Sequence, residues 1–350
     1  GTPESIDFAP YFSSLTIVER IDDYPPESSD LLLKKIHAST RPFGGKIWIG
    51  GTASGVANFS SYTKALSLDG LKLLSSTNDN ILLSREGAPD GSANWTHLYG
   101  DISNTIKSDD ELVKLPLGVL WFGGISNMDV LPRHGHGPPE QIIDGKLIIQ
   151  GMKSISARDV YTGRPLWKTE FETLGTYGMY YNESYSDDPL NTAYNQEHLP
   201  GVNTRGTNFV VTNDFVYVVQ GYSCHIIDIE TGELTKTIRI PKHERNQWGY
   251  LGVSGDKLIA GAEFVKYGAI VQKSLKSAEE IQAYVELIEA ANKRTGGFME
   301  YGFSASQSIV VSDRHNSNLN WSAKSKYGFI HNSITSSEEM IFAIDKIPVS

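Results

Sequence analysis

One short unit recurs along this chain and restricts what it can fold into. Asp159-Val160-Tyr161-Thr162-Gly163-Arg164-Pro165-Leu166-Trp167 and Asp228-Ile229-Glu230-Thr231-Gly232-Glu233-Leu234 share an Asp-x-x-Thr-Gly core. Asp313-Arg314-His315-Asn316-Ser317-Asn318-Leu319-Asn320-Trp321 is a decayed copy. Each copy follows an alternating apolar run and leads into another short β-like segment. Alternation with period two marks half-buried strands, and an Asp followed by Thr-Gly marks a tight turn, so the unit is a hairpin. A lone hairpin cannot bury its apolar face. A series of them must stack into an array.

The stacking requirement points to an all-β fold, a β-propeller of four-stranded antiparallel blades. The cadence around the hairpins agrees. Strands are expected at Gln141–Ile143, Lys146–Gln150 and Ser154–Val160, then at Asn208–Thr212, Phe215–Gln220, His225–Ile229 and Leu234–Ile240. The pattern returns at Tyr250–Val253, Lys257–Ala262, Ser308–Ser312 and Tyr327–His331. Such short segments suit antiparallel blades rather than βαβ units. Upstream, Gly44–Gly51, Ala65–Leu68 (turning at Asp69-Gly70) and Val119–Phe122 also read as strands. Residues 1–40 read as an irregular segment broken by Pro25-Pro26, and residues 41–350 as the propeller. About five partial or complete blades are countable where a complete ring would hold about seven or eight. Either degenerate N-terminal strands complete the circle or the chain is a partial ring, a segment of a longer polypeptide, and the second is the favoured reading.

Asp159 and Asp228 lie 69 positions apart, and Asp228 and Asp313 lie 85 apart. A blade takes about 40–45 residues, so both intervals hold insertions. The first is a long loop over 173–204, rich in Tyr, Asn and Asp. The second is a helix over 275–294, with a Ser277/Glu280 capping box, an apolar stripe of Ile281, Tyr284, Val285 and Ile288, and a stop at Gly296-Gly297. Residues 84–116 form a further loop insertion. Bulk properties narrow the function. A net charge of −10 argues against a nucleic-acid binder, and no apolar run is long enough for a transmembrane helix. The single cysteine, Cys224, excludes an internal disulfide and any Cys-x-x-Cys site, and reads as an inert strand residue.

The Asp-x-x-Thr-Gly-x-x-x-Trp run resembles the repeat of the quinoprotein-like propellers, over roughly residues 118–347. Those include pyrroloquinoline-quinone (PQQ) alcohol dehydrogenases and the outer-membrane-protein assembly propeller. In that repeat the Trp docks between adjacent blades. Trp167 and Trp321 match the docking position, whereas the second copy has Lys236 there. Large bacterial propeller proteins carry segments similar to Leu131-Pro132-Arg133-His134-Gly135-His136-Gly137-Pro138-Pro139, Ser156–Gly163 and Phe329-Ile330-His331-Asn332-Ser333-Ile334. The resemblance implies an exported bacterial protein, periplasmic or extracellular in the cell envelope.

Several residues invite a functional reading. His134 and His136 sit two apart, so on an extended segment both imidazoles face one way and, with His198, can share a metal. A tight Gly/Pro turn ordered by histidine–backbone bonds accounts for the same residues. Trp95, His97, Asp101, Asn203, Arg205 and His331 fall in loops or at strand ends, where a propeller funnel gathers a cofactor. Their simpler role is to order loops. The resemblance raises PQQ with calcium, which needs a Glu/Asn/Asp set and an Asp base, but no such set is assignable here. The adjacent-cysteine disulfide of many such enzymes is impossible with one Cys. No serine elbow, phosphate loop or zincin motif occurs. Trp48, Trp121, Trp167, Trp248 and Trp321 read as interblade packing. The expectation is a binding or assembly scaffold with a protein partner contacted by loops 84–116 and 173–204, lacking its own catalytic cofactor. Two alternatives stand. One is a quinone- or metal-dependent oxidoreductase built around His134, His136, His198 and Arg205. The other is one domain of a larger redox or envelope assembly.

Overall fold

A computed structural model describes residues 5, 8–65, 67–122, 129–130, 140–151, 153–171, 174, 208–265, 277–283, 285–286, 302–337 and 339–346. Its first elements are not a blade. β1 (Leu15–Val18), α1 (Ser29–Ser39), β2 (Gly45–Gly50), α2 (Ala53–Ala65), β3 (Leu71–Ser76) and β4 (Asn80–Arg85) build a mixed sheet in the order β1-β2-β4-β3. β1 and β2 are parallel, joined by α1, while β2–β4 and β3–β4 are antiparallel. Leu32, Leu33 and Ile36 of α1 and Val56 and Phe59 of α2 close over Ile47, Ile49, Ile81 and Leu83. The segment expected to be irregular thus holds a strand and a helix. The strand expected at Ala65–Leu68 gives way to the end of α2, and Trp48 lies in β2 rather than at a blade seam. Among the described residues each helix places two or three apolar side chains in this cluster, too few to impose a visible 3.6-residue period. The layer meets the repeats through an Arg41–Asp159 ion pair and the Tyr11 ring set against Tyr161, 5.1 Å between centroids.

Three four-stranded antiparallel sheets follow, each in simple sequence order. The first is β5 (Gln141–Ile143), β6 (Lys146–Gln150), β7 (Ser154–Asp159) and β8 (Pro165–Glu170). The second is β9 (Phe209–Val211), β10 (Phe215–Gln220), β11 (Ser223–Asp228) and β12 (Leu234–Ile238). The third is β13 (Trp248–Ser254), β14 (Lys257–Val265), β15 (Gly302–Asp313) and β16 (Leu319–Ile330). A two-stranded sheet, β17 (Thr335–Ser336) with β18 (Ile341–Phe342), comes last. β5 lies beside β9 and β9 beside β13, so the first strand of each sheet faces a common side. Val119–Phe122 forms no strand, and Phe122 is wholly exposed. In the expected 275–294 helix, residues 278–283 and 285–286 are helical. Its capping box is formed by reciprocal Ser277–Glu280 bonds of 3.2 and 3.1 Å. Ile281 of its stripe is 41% exposed rather than buried in a core cluster.

All three hairpin turns have the same wiring. In the first, Asp159 Oδ1 accepts from the Tyr161 and Thr162 amides at 2.9 and 3.0 Å, and Gly163 N donates to the Asp159 carbonyl at 2.8 Å. Asp228 Oδ1 does the same for Glu230 and Thr231 at 3.0 and 2.8 Å, and Asp313 Oδ1 for His315 and Asn316, both at 2.9 Å. The fifth residue is left-handed in each, at φ +69° for Gly163, +75° for Gly232 and +64° for Ser317.

The glycines have a second reason. Trp121 Nε1 donates to the Val160 carbonyl at 2.9 Å, and a Cβ on Gly163 would sit 2.4 Å from its indole. Trp167 Nε1 donates to the Ile229 carbonyl at 2.9 Å, and a Cβ on Gly232 would sit 2.6 Å from its indole. At the third seam Lys236 replaces the indole, its Nζ 3.3 Å from Ser317 Oγ, and a side chain at 317 has room. There Arg314 takes over, its Nη1 bonding both Asp214 oxygens at 2.8 and 2.9 Å and Tyr217 Oη at 3.0 Å. Two seams are closed by indoles and one by charge.

This pairing is testable. Ser317→Gly relieves a left-handed cost of about 1–2 kcal/mol and gives back about 0.4–1 kcal/mol of unfolded-state entropy, for a net gain of about 0.5 kcal/mol. Lys236→Trp is expected to destabilise alone and to stabilise with Ser317→Gly. The coupling of about 1 kcal/mol or more is read from urea midpoints of the four proteins; additive effects would show that the indole and the glycine are independent.

Candidate functional site

Residues 94–106 form a strap across the common side of the three blades. Trp95 exchanges both backbone bonds with Ile142 of β5, each 2.8 Å. The Thr96 carbonyl accepts from Val211 N of β9 at 3.3 Å. His97 Nε2 accepts from Val253 N of β13 at 3.2 Å. Beyond the third blade, Asn104 Nδ2 donates to the Ile334 carbonyl at 3.0 Å and Ser103 Oγ to the Ser336 carbonyl at 2.8 Å. Asp101 shapes the bend, its Oδ1 accepting from the Ser103 and Thr105 amides at 2.9 and 3.3 Å. Successive strap residues thus satisfy edge groups of three first strands, which would otherwise be open to pairing.

The donor at Val253 fixes the His97 tautomer. Nε2 must carry the lone pair, so Nδ1 bears the proton and donates to Thr96 Oγ1 at 2.8 Å. Both ring nitrogens are used by the protein. Burial lowers the His97 pKa to about 4, against the opposing charge of Asp101. His331 is fully buried, with Nε2 2.7 Å from Ser306 Oγ and its ring 6.0 Å from Tyr250.

His97 and His331, assigned to the same funnel from sequence, do line one cavity, together with Tyr99, Asn104, Tyr250 and Asn332. Its volume is about 10 Å³. That is room for one water, whereas pockets for organic cofactors run to about 300–1,000 Å³. The PQQ–calcium group does not fit this cavity. Trp95 is half-buried and spends its backbone on β5. Asn203, Arg205, His134, His136 and His198 lie outside the described residues. Among the described residues no group of three metal-ligating side chains occurs. A larger cleft, about 120 Å³, opens where the mixed sheet meets the first two blades. Four of its charges are paired internally, Arg41 with Asp159 and Lys146 Nζ with Glu230 at 2.7 Å, while the Asp144 carboxylate accepts from Asn213 Nδ2 at 2.7 Å.

Sequence reasoning placed loop 84–116 against a partner. Residues 95–97 of it lie against the first strands of the chain's own blades, and Ser103 and Asn104 against residues 334–336. Ser306 was not singled out, and only its neighbours explain it: a Cβ on Gly249 or Gly261 would fall 2.1 or 2.3 Å from its Oγ.

Consecutive antiparallel sheets, locked by an indole at one seam and by Arg314 at the next and aligned by their first strands, decide the architecture. The chain is an arc of β-propeller blades. No family model and no curated protein matches this propeller. Among solved structures it is similar to quinohemoprotein alcohol dehydrogenase from Comamonas testosteroni, at 14% identity over 66% of this chain and 27% of that one, TM-score 0.38. It is also similar to the Pan2 WD40 domain of Neurospora crassa, at 11% identity over 59% and 40%, TM-score 0.31. BamB from Moraxella catarrhalis matches at 10% identity over 60% and 61%, TM-score 0.25. The propeller spans about a quarter of the alcohol dehydrogenase it matches. Among its described residues no helix is long and apolar enough to cross a membrane.

Proposed function

We propose that this propeller is a binding scaffold of a bacterial cell envelope that engages a protein partner and uses no catalytic cofactor of its own. The observation carrying the proposal is the strap. Where a propeller's first strands would surround a ligand, residues 95–97 of the strap bond to them, and His97 and His331 spend ring atoms on Val253, Thr96 and Ser306. A surface for a partner lies nearby. Leu115, Leu117, Val119 and Phe122 are 86, 68, 82 and 100% exposed, on a segment anchored by Trp121 to the first blade. Contiguous apolar exposure of this kind marks interaction sites. The acidic balance directs the proposal to a protein rather than a nucleic acid. The segments similar to large bacterial propeller proteins support the envelope location.

The test is spectroscopic. Purified protein incubated with PQQ and Ca²⁺ is expected to retain no quinone absorbance after gel filtration and to reduce no dye with alcohols. A retained chromophore with alcohol-dependent dye reduction would replace the scaffold by an oxidoreductase.

A further inference from the structure

We propose that the cleft between the mixed sheet and the first two blades binds a small organic ammonium ion. The inference goes beyond the scaffold reading and does not rest on it. The cleft holds about 120 Å³ of open space. A cavity of about 150 Å³ admits benzene, so this one takes a ligand of about five or six non-hydrogen atoms. Junctions between packed units are where ligand pockets concentrate.

Charge defines the ligand. Arg41 and Lys146 line the cleft together with three carboxylates, Asp144, Asp159 and Glu230. Arg41 is spent on Asp159, and Lys146 on Glu230. Asp144 is the odd acid. Its oxygens accept from two neutral amides, Asn94 Nδ2 at 3.4 Å and Asn213 Nδ2 at 2.7 Å, and among the described residues no cation pairs with it. One negative charge of the lining is therefore uncompensated, which suits a ligand with a single positive charge. The backbone has no need of that charge. Asp144 and Gly145 are the central residues of the β5–β6 turn, at φ +44° and +73°. Asn-Gly builds the same turn, so its geometry alone does not call for a carboxylate.

The aromatic wall fits the same ligand. Phe43 lies over Gly145, where a Cβ would come within 2.5 Å of its ring. Tyr161 stacks beside Phe43, 6.4 Å between centroids, and also lines the cleft. An ammonium in the cleft is thereby offered a carboxylate and ring faces, which attract cations. Leu166 adds an apolar contact for a short alkyl chain.

The probe is butylammonium chloride, titrated calorimetrically into the protein at low salt against a sodium chloride blank of equal ionic strength. Saturable binding is expected. Butan-1-ol, matched in size and uncharged, is expected to bind about tenfold more weakly or not at all. Asp144→Asn keeps the turn and removes the charge, and is expected to weaken butylammonium binding by about tenfold or more, as loss of a hydrogen bond to a charged group does. Lys146→Met leaves Glu230 unpaired and the cleft more negative, and is expected to strengthen binding by about threefold or more. Absence of saturable binding, equal affinity for butan-1-ol, or equal binding by wild type and Asp144→Asn overturns the proposal. Should Asp144→Asn fail to fold, Lys146→Met decides: tighter binding upholds the site, and unchanged or weaker binding overturns it. None of these outcomes bears on the quinone test, so the scaffold reading and the ammonium site fail separately.

Discussion

Trp167→Ala is expected to lower the free energy of unfolding by about 3–5 kcal/mol, as truncation of a buried indole does. The ring lies between the first and second blades, packed with Ile155, Ala157, Phe209, Ile227 and Ile229. Its Nε1 donates to the Ile229 carbonyl at 2.9 Å, and the Gly232 turn closes over its face. Alanine would leave a cavity that backbone strands cannot collapse into, and would strand the carbonyl. Trp167→Phe separates these terms: it keeps most of the apolar area and is expected to lose about 1–3 kcal/mol for the unpaired carbonyl and the smaller ring. Trp321→Ala is the internal control, since at 43% exposure the same change is expected to stay within about 0.5 kcal/mol. Urea unfolding followed by far-ultraviolet circular dichroism measures all three. Equal losses for Trp167→Ala and Trp321→Ala would mean that the seam is not closed as described.

Acid is expected to remove about 3 kcal/mol of stability through His97 alone, between pH 6.5 and 4. Burial lowers the folded pKa from the ordinary 6.5 to about 4. Over that window the unfolded chain binds a proton that the folded chain refuses, so stability falls with pH. Below about 4 both forms are protonated and the effect levels off. Burial is the cause, and a proton on Nε2 would in addition remove the lone pair that accepts Val253 N–H. His97→Asn retains a carbonyl acceptor that does not titrate. The difference in unfolding free energy between pH 7.5 and 4.5 is expected to be about 2–3 kcal/mol larger in the wild type than in His97→Asn. Equal pH dependence in the two proteins would show that the imidazole is not held in this bond. Such a strap would also loosen first from the third blade, whose edge amide at Val253 depends on it.

How far the chain could be read before folding follows from the range of each interaction. The turns were readable because they close within nine residues: Asp159, Asp228 and Asp313 each cap amides two and three positions on, and a left-handed residue completes the loop. Even the decayed copy keeps that wiring, since Asp supplies the acceptor and serine tolerates the fifth position once Lys236 has replaced the indole. The strand cadence of the blades was readable for the same reason, being a period-two pattern within each segment. The mixed N-terminal sheet was not, because among the described residues α1 and α2 bury so few side chains that their period is lost among Ser, Gly and Lys.

By itself, the sequence determined the blades: local hydrogen bonding and alternation specify hairpins, and their apolar faces require stacking. Tertiary structure alone decided what fills the side where the first strands converge. His97 meets Val253 across 156 positions and Asn104 meets Ile334 across 230. No periodicity or spacing encodes contacts of that separation, because they exist only once three sheets have aligned. The same alignment sets the fate of each docking residue, burying Trp167 under a neighbour and leaving Trp321 facing solvent, although their local sequences predict one role for both.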